Sequence, residues 1–223
     1  MFNFHVHLSN CSKYSICSVD ITEIEQFSNI QSKFTFGIHP WFLQSEKIFD
    51  EYIRILTQIS EGNYGPVISE NFIAVGECGI DRVKGPCLEL QKKIFFNLCR
   101  LSINMDLPMI IHCVRAYSDI IEVYKSFKNK LKWAVHGFSG NLVEAESLLA
   151  KNIHISFGKR LLYSDKLKEI FSILPINMLF LETDDSDISI RSLYELGSVL
   201  KGMSIDEFSL QIERNIFNFF AIL

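Results

Sequence analysis

No CxxC pair occurs in this sequence. Its six cysteines, Cys11, Cys17, Cys78, Cys87, Cys99 and Cys113, stand at spacings that match no small-domain disulfide framework. They are expected to be reduced and mostly buried as small apolar side chains. An excess of basic residues is also missing. Twenty-two Lys and Arg face 26 Asp and Glu, for a net charge of −4, which excludes a nucleic-acid-coating surface while leaving room for a local basic patch. No uncharged apolar run reaches the ~18 residues of a membrane span. The first ten residues, MFNFHVHLSN, lack the basic then apolar pattern of a signal peptide. A cytoplasmic chain with no membrane partner is expected, with a monomer favoured. Low-complexity segments, repeats and Pro/Ser-rich linkers are absent, so residues 1–223 read as a single domain.

What the chain does have is apolar residues, 48% of the total, in a two-part rhythm. Short apolar runs at Phe2–His7, Phe34–His39, Phe72–Gly76, Pro108–His112, Lys132–His136, His154–Phe157 and Met178–Leu181 predict strands, with a weaker one at Tyr14–Val19. Runs such as Met109-Ile110-Ile111 fit strands buried on both faces of a parallel sheet. Helical periodicity fills Ile48–Ile59, Leu88–Met105, Ser118–Lys128, Leu142–Lys151, Asp165–Ile173 and Ile205–Phe220. Asp165 and Ser204 suit N-caps. Strand and helix in alternation predict an α/β fold, a TIM-like (β/α) barrel of seven or eight parallel strands. Residues 9–33 resist parsing.

The polar exceptions are not scattered. His5, His7, His39, His112 and His136 sit in or just after predicted strands, Glu77 follows Phe72–Gly76, and Asp184 follows Met178–Leu181. Parallel strands bring their C-terminal ends to one mouth, where barrel active sites form. His5 and His7 are two apart in a strand and face the same side, so both reach one cation while Val6 packs against helices. Glu77 lies between Gly76 and Gly79, which allow close backbone approach. His39 precedes Pro40 and either lines the pocket or bonds a loop. Asp81 either orients a histidine ring or caps a turn. Glu182 and Asp185 suit supporting or exposed places, and Cys78 and Cys113 suit packing. His154 opens a strand and reads as structural or exposed. The cluster Lys125, Lys128, Lys130 and Lys132 reads as a solvated helix end. Phe217, Phe219 and Phe220 are expected to seal the barrel or pack on a neighbouring helix.

Seven stretches run in order along nearly the whole chain: HVHL (His5–Leu8), GIHPW (Gly37–Trp41), AVGECGID (Ala74–Asp81), LPMIIH (Leu107–His112), HGFSGN (His136–Asn141), ISFG (Ile155–Gly158) and LFLETD (Leu179–Asp184). Together they resemble the TatD-like DNase family of metal-dependent hydrolases. The resemblance implies a metal-dependent phosphodiesterase, chiefly a deoxyribonuclease, using one or two divalent ions (Zn, Mg or Mn) and metal-activated water. His5 and His7 match the histidines of the first metal, Glu77 the bridging acid, His112 and His136 the second metal, and Asp184 the last ligand, which also handles the water's proton. Glu77 and Asp184 are therefore the expected catalytic acids. The implied substrate is DNA or a small phosphodiester. Beside that resemblance, Arg82, Lys84, Arg115 and Lys159 are nearby cations expected to clamp a phosphate, and His39, where it lines the pocket, is a further candidate substrate contact. Three positions depart from the pattern. Asn3 replaces the usual Asp, His112 is followed by Cys113-Val114-Arg115 rather than Ser-Arg, and Arg82 stands where Tyr is frequent. Little chain is expected between Asp184 and the last helix. Two other functions fit the same residues: hydrolysis of a C–N, ester or lactone bond in a small metabolite, or a non-catalytic metal-stabilised binding protein.

Overall fold

The computed structural model describes residues 1–223 except 24, 26–29, 44, 62, 64–69, 128–131 and 222–223. Eight parallel strands follow one another in chain order around one sheet: β1 (Asn3–His7), β2 (Ser15–Asp20), β3 (Phe34–Gly37), β4 (Phe72–Asp81), β5 (Met109–Val114), β6 (Trp133–Val135), β7 (His154–Phe157) and β8 (Leu179–Leu181). A bridge between Val6 and Asp184, with the Asp184 N–H donating to the His5 carbonyl at 3.1 Å, brings the last strand round to the first. The sheet is a nearly closed barrel. The weak stretch at Tyr14–Val19 is a full strand, buried from Ser15 to Val19.

Helices α1 (Lys47–Ser60), α2 (Leu88–Met105), α3 (Tyr117–Ser126), α4 (Leu142–Leu149), α5 (Arg160–Tyr163), α6 (Asp165–Ile173), α7 (Ile190–Lys201) and α8 (Ile205–Phe220) are interleaved with the strands or follow them. The periodicity of α1 buries Tyr52, Ile55 and Leu56, and the Tyr52 hydroxyl donates to the Phe36 carbonyl of β3 at 2.5 Å. Ser204 caps α8 in a reciprocal pair with Glu207. Ser164, not Asp165, caps α6, because its hydroxyl reaches the Leu167 N–H. The segment after Asp184 is fuller than expected. It holds α7, capped by Ser189 and ended by Gly202 in the left-handed conformation. The expected end of α3 at Lys128, and Lys128 and Lys130 of the basic cluster, lie outside the described residues.

A second correction concerns the cysteines. Cys11 and Cys17, with Cα atoms 5.5 Å apart, form a disulfide. The turn at Leu8–Asn10 folds Cys11 back beside β2, a proximity that spacing alone does not convey. Cys78, Cys99 and Cys113 are free and buried, and Cys87 is free and exposed. Burial drives the Cys78 thiol far up and pushes that of Cys113 to about 12, so both stay protonated packing groups. No helix among the described residues is long and apolar enough to cross a membrane.

Strand alternation divides β1. Phe4 and Val6 face the helices, leaving His5 and His7 for the barrel interior. Phe4 stacks on Phe180 of β8 at 4.1 Å between centroids, and Phe219 and Phe220 of α8 pack on it. Phe219 and Phe220 thus cover the β1–β8 closure, while Phe217 is partly exposed beside Phe2. His154 joins this cluster, stacked on Phe180 at 5.2 Å. Its Nδ1 is buried with no hydrogen-bond partner among the described residues. Burial, with Lys132 nearby, pushes its pKa down to about 4. A folded pKa below the ~6.5 of an unfolded histidine gives a stabilising contribution that is present above pH ~6.5 and is lost as pH falls towards 4. Over that window the loss amounts to at most about 3 kcal/mol. The variant His154→Phe is expected to show a shallower fall of Tm between pH 6.5 and 4 than the parent. Equal slopes in thermal melts across that window would refute this account of the ring.

Candidate metal centre

Six side chains from five strands meet at the C-terminal mouth. His5 and His7 come from β1, Glu77 from β4, His112 from β5, His136 just after β6, and Asp184 three residues after β8. Glu77 does not follow its strand, as its sequence suggested. It lies within β4, at a register shift between Val75 and Cys78 against β5. Gly76 and Gly79 take φ of 154° and 148°, outside the comfortable range of other residues, and allow the strand to kink and then continue to Asp81.

Glu77 is the hub. Its Oε1 lies 2.6 Å from His112 Nδ1, 2.7 Å from His136 Nε2 and 3.1 Å from His39 Nε2, and its Oε2 lies 3.3 Å from His5 Nε2. Burial alone would raise this carboxyl. The imidazole of His136, with the hydrogen bonds from His112, His136 and His39, outweighs burial and holds it well below the usual carboxylate range. His136 moves the opposite way. Burial would lower it, but Glu77 and Glu182 raise it well above the ordinary value. Asp184 Oδ1 sits 3.2 Å from His7 Nε2 and 3.7 Å from His5 Nε2. Against the upward push of burial, the bond to His7 and the fields of His136 and His5 hold Asp184 far down. The same bond raises His7. Asp184 adopts φ of 55°. This left-handed geometry is one that Asp tolerates better than most residues, and it turns the chain back beside His5 and His7.

An outer ring of carboxylates fixes the imidazoles. His136 Nδ1 faces Glu182 Oε1 at 3.3 Å, and Glu182 also accepts the Gly137 N–H at 2.6 Å. His112 Nε2 faces Asp81 Oδ2 at 3.2 Å. In each ring one nitrogen is thus committed to an outer acid and the other turned inward, the arrangement typical of metal-ligating histidines. Asp81 has both roles open to it in sequence: Oδ2 also accepts the Trp41 indole N–H at 2.7 Å, and Oδ1 accepts the Val83 and Lys84 N–H groups. His39 is pinned at three atoms. Its N–H donates to Asp20 Oδ2 at 2.8 Å and its Nδ1 accepts the Trp41 N–H at 3.1 Å. Nε2 therefore carries the ring's proton and donates to Glu77. At the first of the three departures from the pattern, Asn3 exchanges hydrogen bonds with Thr183, Nδ2 donating to Oγ1 at 2.8 Å and Oδ1 accepting the Thr183 N–H at 3.0 Å. The amide thus ties β1 to the segment carrying Asp184.

The residues fit a divalent cation. Both ring nitrogens of His5 are buried without a hydrogen-bond partner among the described residues, a costly state for polar atoms unless something else binds them. Donor atoms gather in three groups, each within 4.8 Å: His5, His7 and Asp184; His5, Glu77 and His136; His39, Glu77 and His112. Nitrogen and carboxylate oxygen together suit zinc or manganese. They open onto a cavity of about 340 Å³, walled by Ser18, Asp20, Trp41, Phe42 and Asp185.

The expected cationic contacts lie elsewhere. Arg82 donates to Asp119 of α3 at 2.6 Å and 2.9 Å, Arg115 is exposed after β5 at φ of 52°, and Lys159 sits 3.5 Å from Asp187. None of them lines this cavity among the described residues. Lys84 reaches its edge, with Nζ 3.4 Å from the Trp41 ring centroid. Conversely, Asp20, Trp41 and Phe42 line it without having been singled out in sequence. Trp41 was within reach through the GIHPW stretch, whereas Asp20 ends a strand read only to Val19.

Comparison with known proteins agrees with this geometry. The family model described as TatD related DNase matches residues 5–221. A putative deoxyribonuclease TATDN1 homolog of Vairimorpha ceranae is 31% identical over 59% of this chain and 49% of its own length. The uncharacterized metal-dependent hydrolase YjjV of Escherichia coli is 31% identical over 78% of this chain and 68% of its own. The 3'-5' ssDNA/RNA exonuclease TatD of Erwinia tasmaniensis is 30% identical over 67% of this chain and 56% of its own. The matched regions thus span about half to two thirds of these relatives. Among solved structures, Escherichia coli YjjV superposes with a TM-score of 0.80 at 22% identity, over 94% of this chain and 86% of that one.

Proposed function

The chain belongs to the TatD related DNase family, and from that premise we propose that it is a phosphodiesterase that cleaves DNA with one or two divalent cations. The ligands are His5, His7, Glu77, His112, His136 and Asp184. One observation carries the reading: a buried carboxylate surrounded by four imidazoles, with the ring nitrogens of His5 left without a hydrogen-bond partner among the described residues. A bound divalent cation polarises a phosphoryl oxygen and makes water a usable nucleophile near neutral pH. The chain's own groups do the rest. Asp184, ionised and half-buried at the cavity floor, accepts the attacking water's proton at Oδ1. Glu77 supplies negative charge at the centre, and Asp81 and Glu182 fix the His112 and His136 rings so that both aim inward. His39 orients Glu77 rather than touching the substrate, since both its ring nitrogens are engaged. Trp41 and Phe42, each about 40% exposed, offer apolar walls to a sugar or base. A walled cavity of this kind favours a strand end over intact duplex.

One feature favours a second reading. Asp20, Glu23 and Asp185 on the cavity wall suit a substrate less anionic than DNA, such as a small metabolite with a hydrolysable C–N, ester or lactone bond. Purified protein loaded with manganese, zinc or magnesium is expected to shorten labelled single-stranded DNA and to hydrolyse bis(4-nitrophenyl) phosphate, and chelator should stop both. Metal-loaded protein inert on both phosphodiesters would overturn the proposal in favour of the second reading.

A further inference from the structure

The opposite wall of the mouth differs in charge from the metal cavity. After β6 and β7 a separate cleft of about 410 Å³ is lined by Ser139, Lys159, Arg160, Tyr163 and Lys166. Three cations converge on it. Arg160 and Lys166 make no ion pair among the described residues, and Lys159 has only Asp187, which is 95% exposed, at 3.5 Å. A surface pair of that kind is weak and easily exchanged. Tyr163 presents 72% of its surface to solvent beside them. The cleft joins the metal centre through Glu182. This acid bonds the His136 ring and the Gly137 N–H, and a Cβ on Gly158 would lie 3.5 Å from its Cγ. Ser139 is three residues from His136, within about 11 Å of chain, and Lys159 directly follows Gly158.

In an eight-stranded ring β2 stands across from β6, and the β2 side contributes Asp20 and Glu23 to the metal cavity. A polyanion entering the mouth is repelled from that wall and drawn towards the other. We propose that the Lys159–Arg160–Lys166 cleft is a second nucleic-acid subsite. It binds backbone phosphates of the single strand whose scissile bond lies at the metal centre, with Tyr163 as a stacking platform for a base. Cationic contacts of this type are sequence-independent, and aromatic stacking tolerates any base. The inference rests on the phosphodiesterase reading, because it places the rest of that substrate.

The test separates the two. Fluorescence anisotropy of a labelled 12-nucleotide oligothymidylate is measured with chelator present, so that no cleavage occurs and binding alone is read. The triple variant Lys159→Ala, Arg160→Ala, Lys166→Ala is expected to bind at least tenfold more weakly than the parent. Each lost phosphate contact removes about 0.7 from the slope of log affinity against log salt, so the slope should shrink by roughly 2. Tyr163→Ala should weaken binding by roughly tenfold without changing the slope. Lys13, Lys125 and Lys151 lie at the other end of the barrel, where strands begin and helices end. Changing those three to Ala removes the same charge and should leave the slope nearly unchanged. Thermal melts establish that each variant is folded. Equal slopes for the two triple variants, or no oligonucleotide binding by the parent, would overturn the subsite. Hydrolysis of bis(4-nitrophenyl) phosphate by the Lys13, Lys125 and Lys151 variant should match the parent. Absence of hydrolysis by the parent indicts the phosphodiesterase reading while leaving the binding result to judge the cleft.

Discussion

Substituting Glu77 by glutamine is expected to lower metal-stimulated phosphodiester hydrolysis by about a thousandfold while leaving the fold intact. Gln matches the volume of Glu and fits the same kink of β4, so packing around Cys78 and Ile80 is unchanged. What is lost is charge. Four imidazoles point a nitrogen at this one carboxylate, and two of the three donor groups contain it. An amide also turns an N–H towards ring nitrogens, where a negative oxygen belongs. The comparison that decides the matter is kcat/KM on bis(4-nitrophenyl) phosphate beside metal content per chain, with circular dichroism to establish folding. If the variant keeps its full metal content and more than a tenth of parental turnover, Glu77 is not the centre of the site.

The strands were legible because burial on both faces leaves a plain apolar signature, as in Met109-Ile110-Ile111. The histidines were legible because a polar residue at a strand end has few structural reasons to be there. The failures have physical causes. Glu77 looked like a residue after a strand, since a kink set by Gly76 and Gly79 interrupts the apolar run without ending the strand. The helix α7 carries its own signals, Ser189 at one end and Gly202 at the other, but its polar outer face dilutes the apolar period. Arg82 read as a free cation because its partner, Asp119, is 37 positions away on another element. Side-chain pairing across a barrel leaves no trace in local pattern. The disulfide between Cys11 and Cys17 depends on a short turn, which composition does not foretell.

The ring of acids outside the histidines ties the fold to the site. Glu182 is wholly buried and contacts His136, Gly137 and the backbone path to Lys159. Asp81 holds His112 and Trp41 together. A buried carboxylate such as Glu182, whose bonds run to His136 and Gly137, contributes little that an apolar side chain would not contribute better to stability alone. Its presence is best understood as aiming the imidazoles, with closure of β8 on β1 through Asn3 and Thr183 aiming Asp184 in the same way.

Chelation should therefore lower stability as well as activity. A cation held at a thousand times its Kd stabilises the native state by about 4 kcal/mol. For a domain of this size each kcal/mol moves Tm by about 2–4 °C, so stripping the metal is expected to lower Tm by roughly 8–16 °C. The reason is local. Without a cation, His5 keeps two ring nitrogens buried without hydrogen bonds among the described residues, and the ring is wholly buried beside that of His136, 4.4 Å away between centroids. Calorimetry of metal-loaded and chelated protein gives the shift directly, and Glu77→Gln supplies the control, since a variant lacking the shared ligand should show a much smaller gap. Identical melts for loaded and stripped parent, with metal content verified, would mean that these six side chains are held by one another and not by an ion.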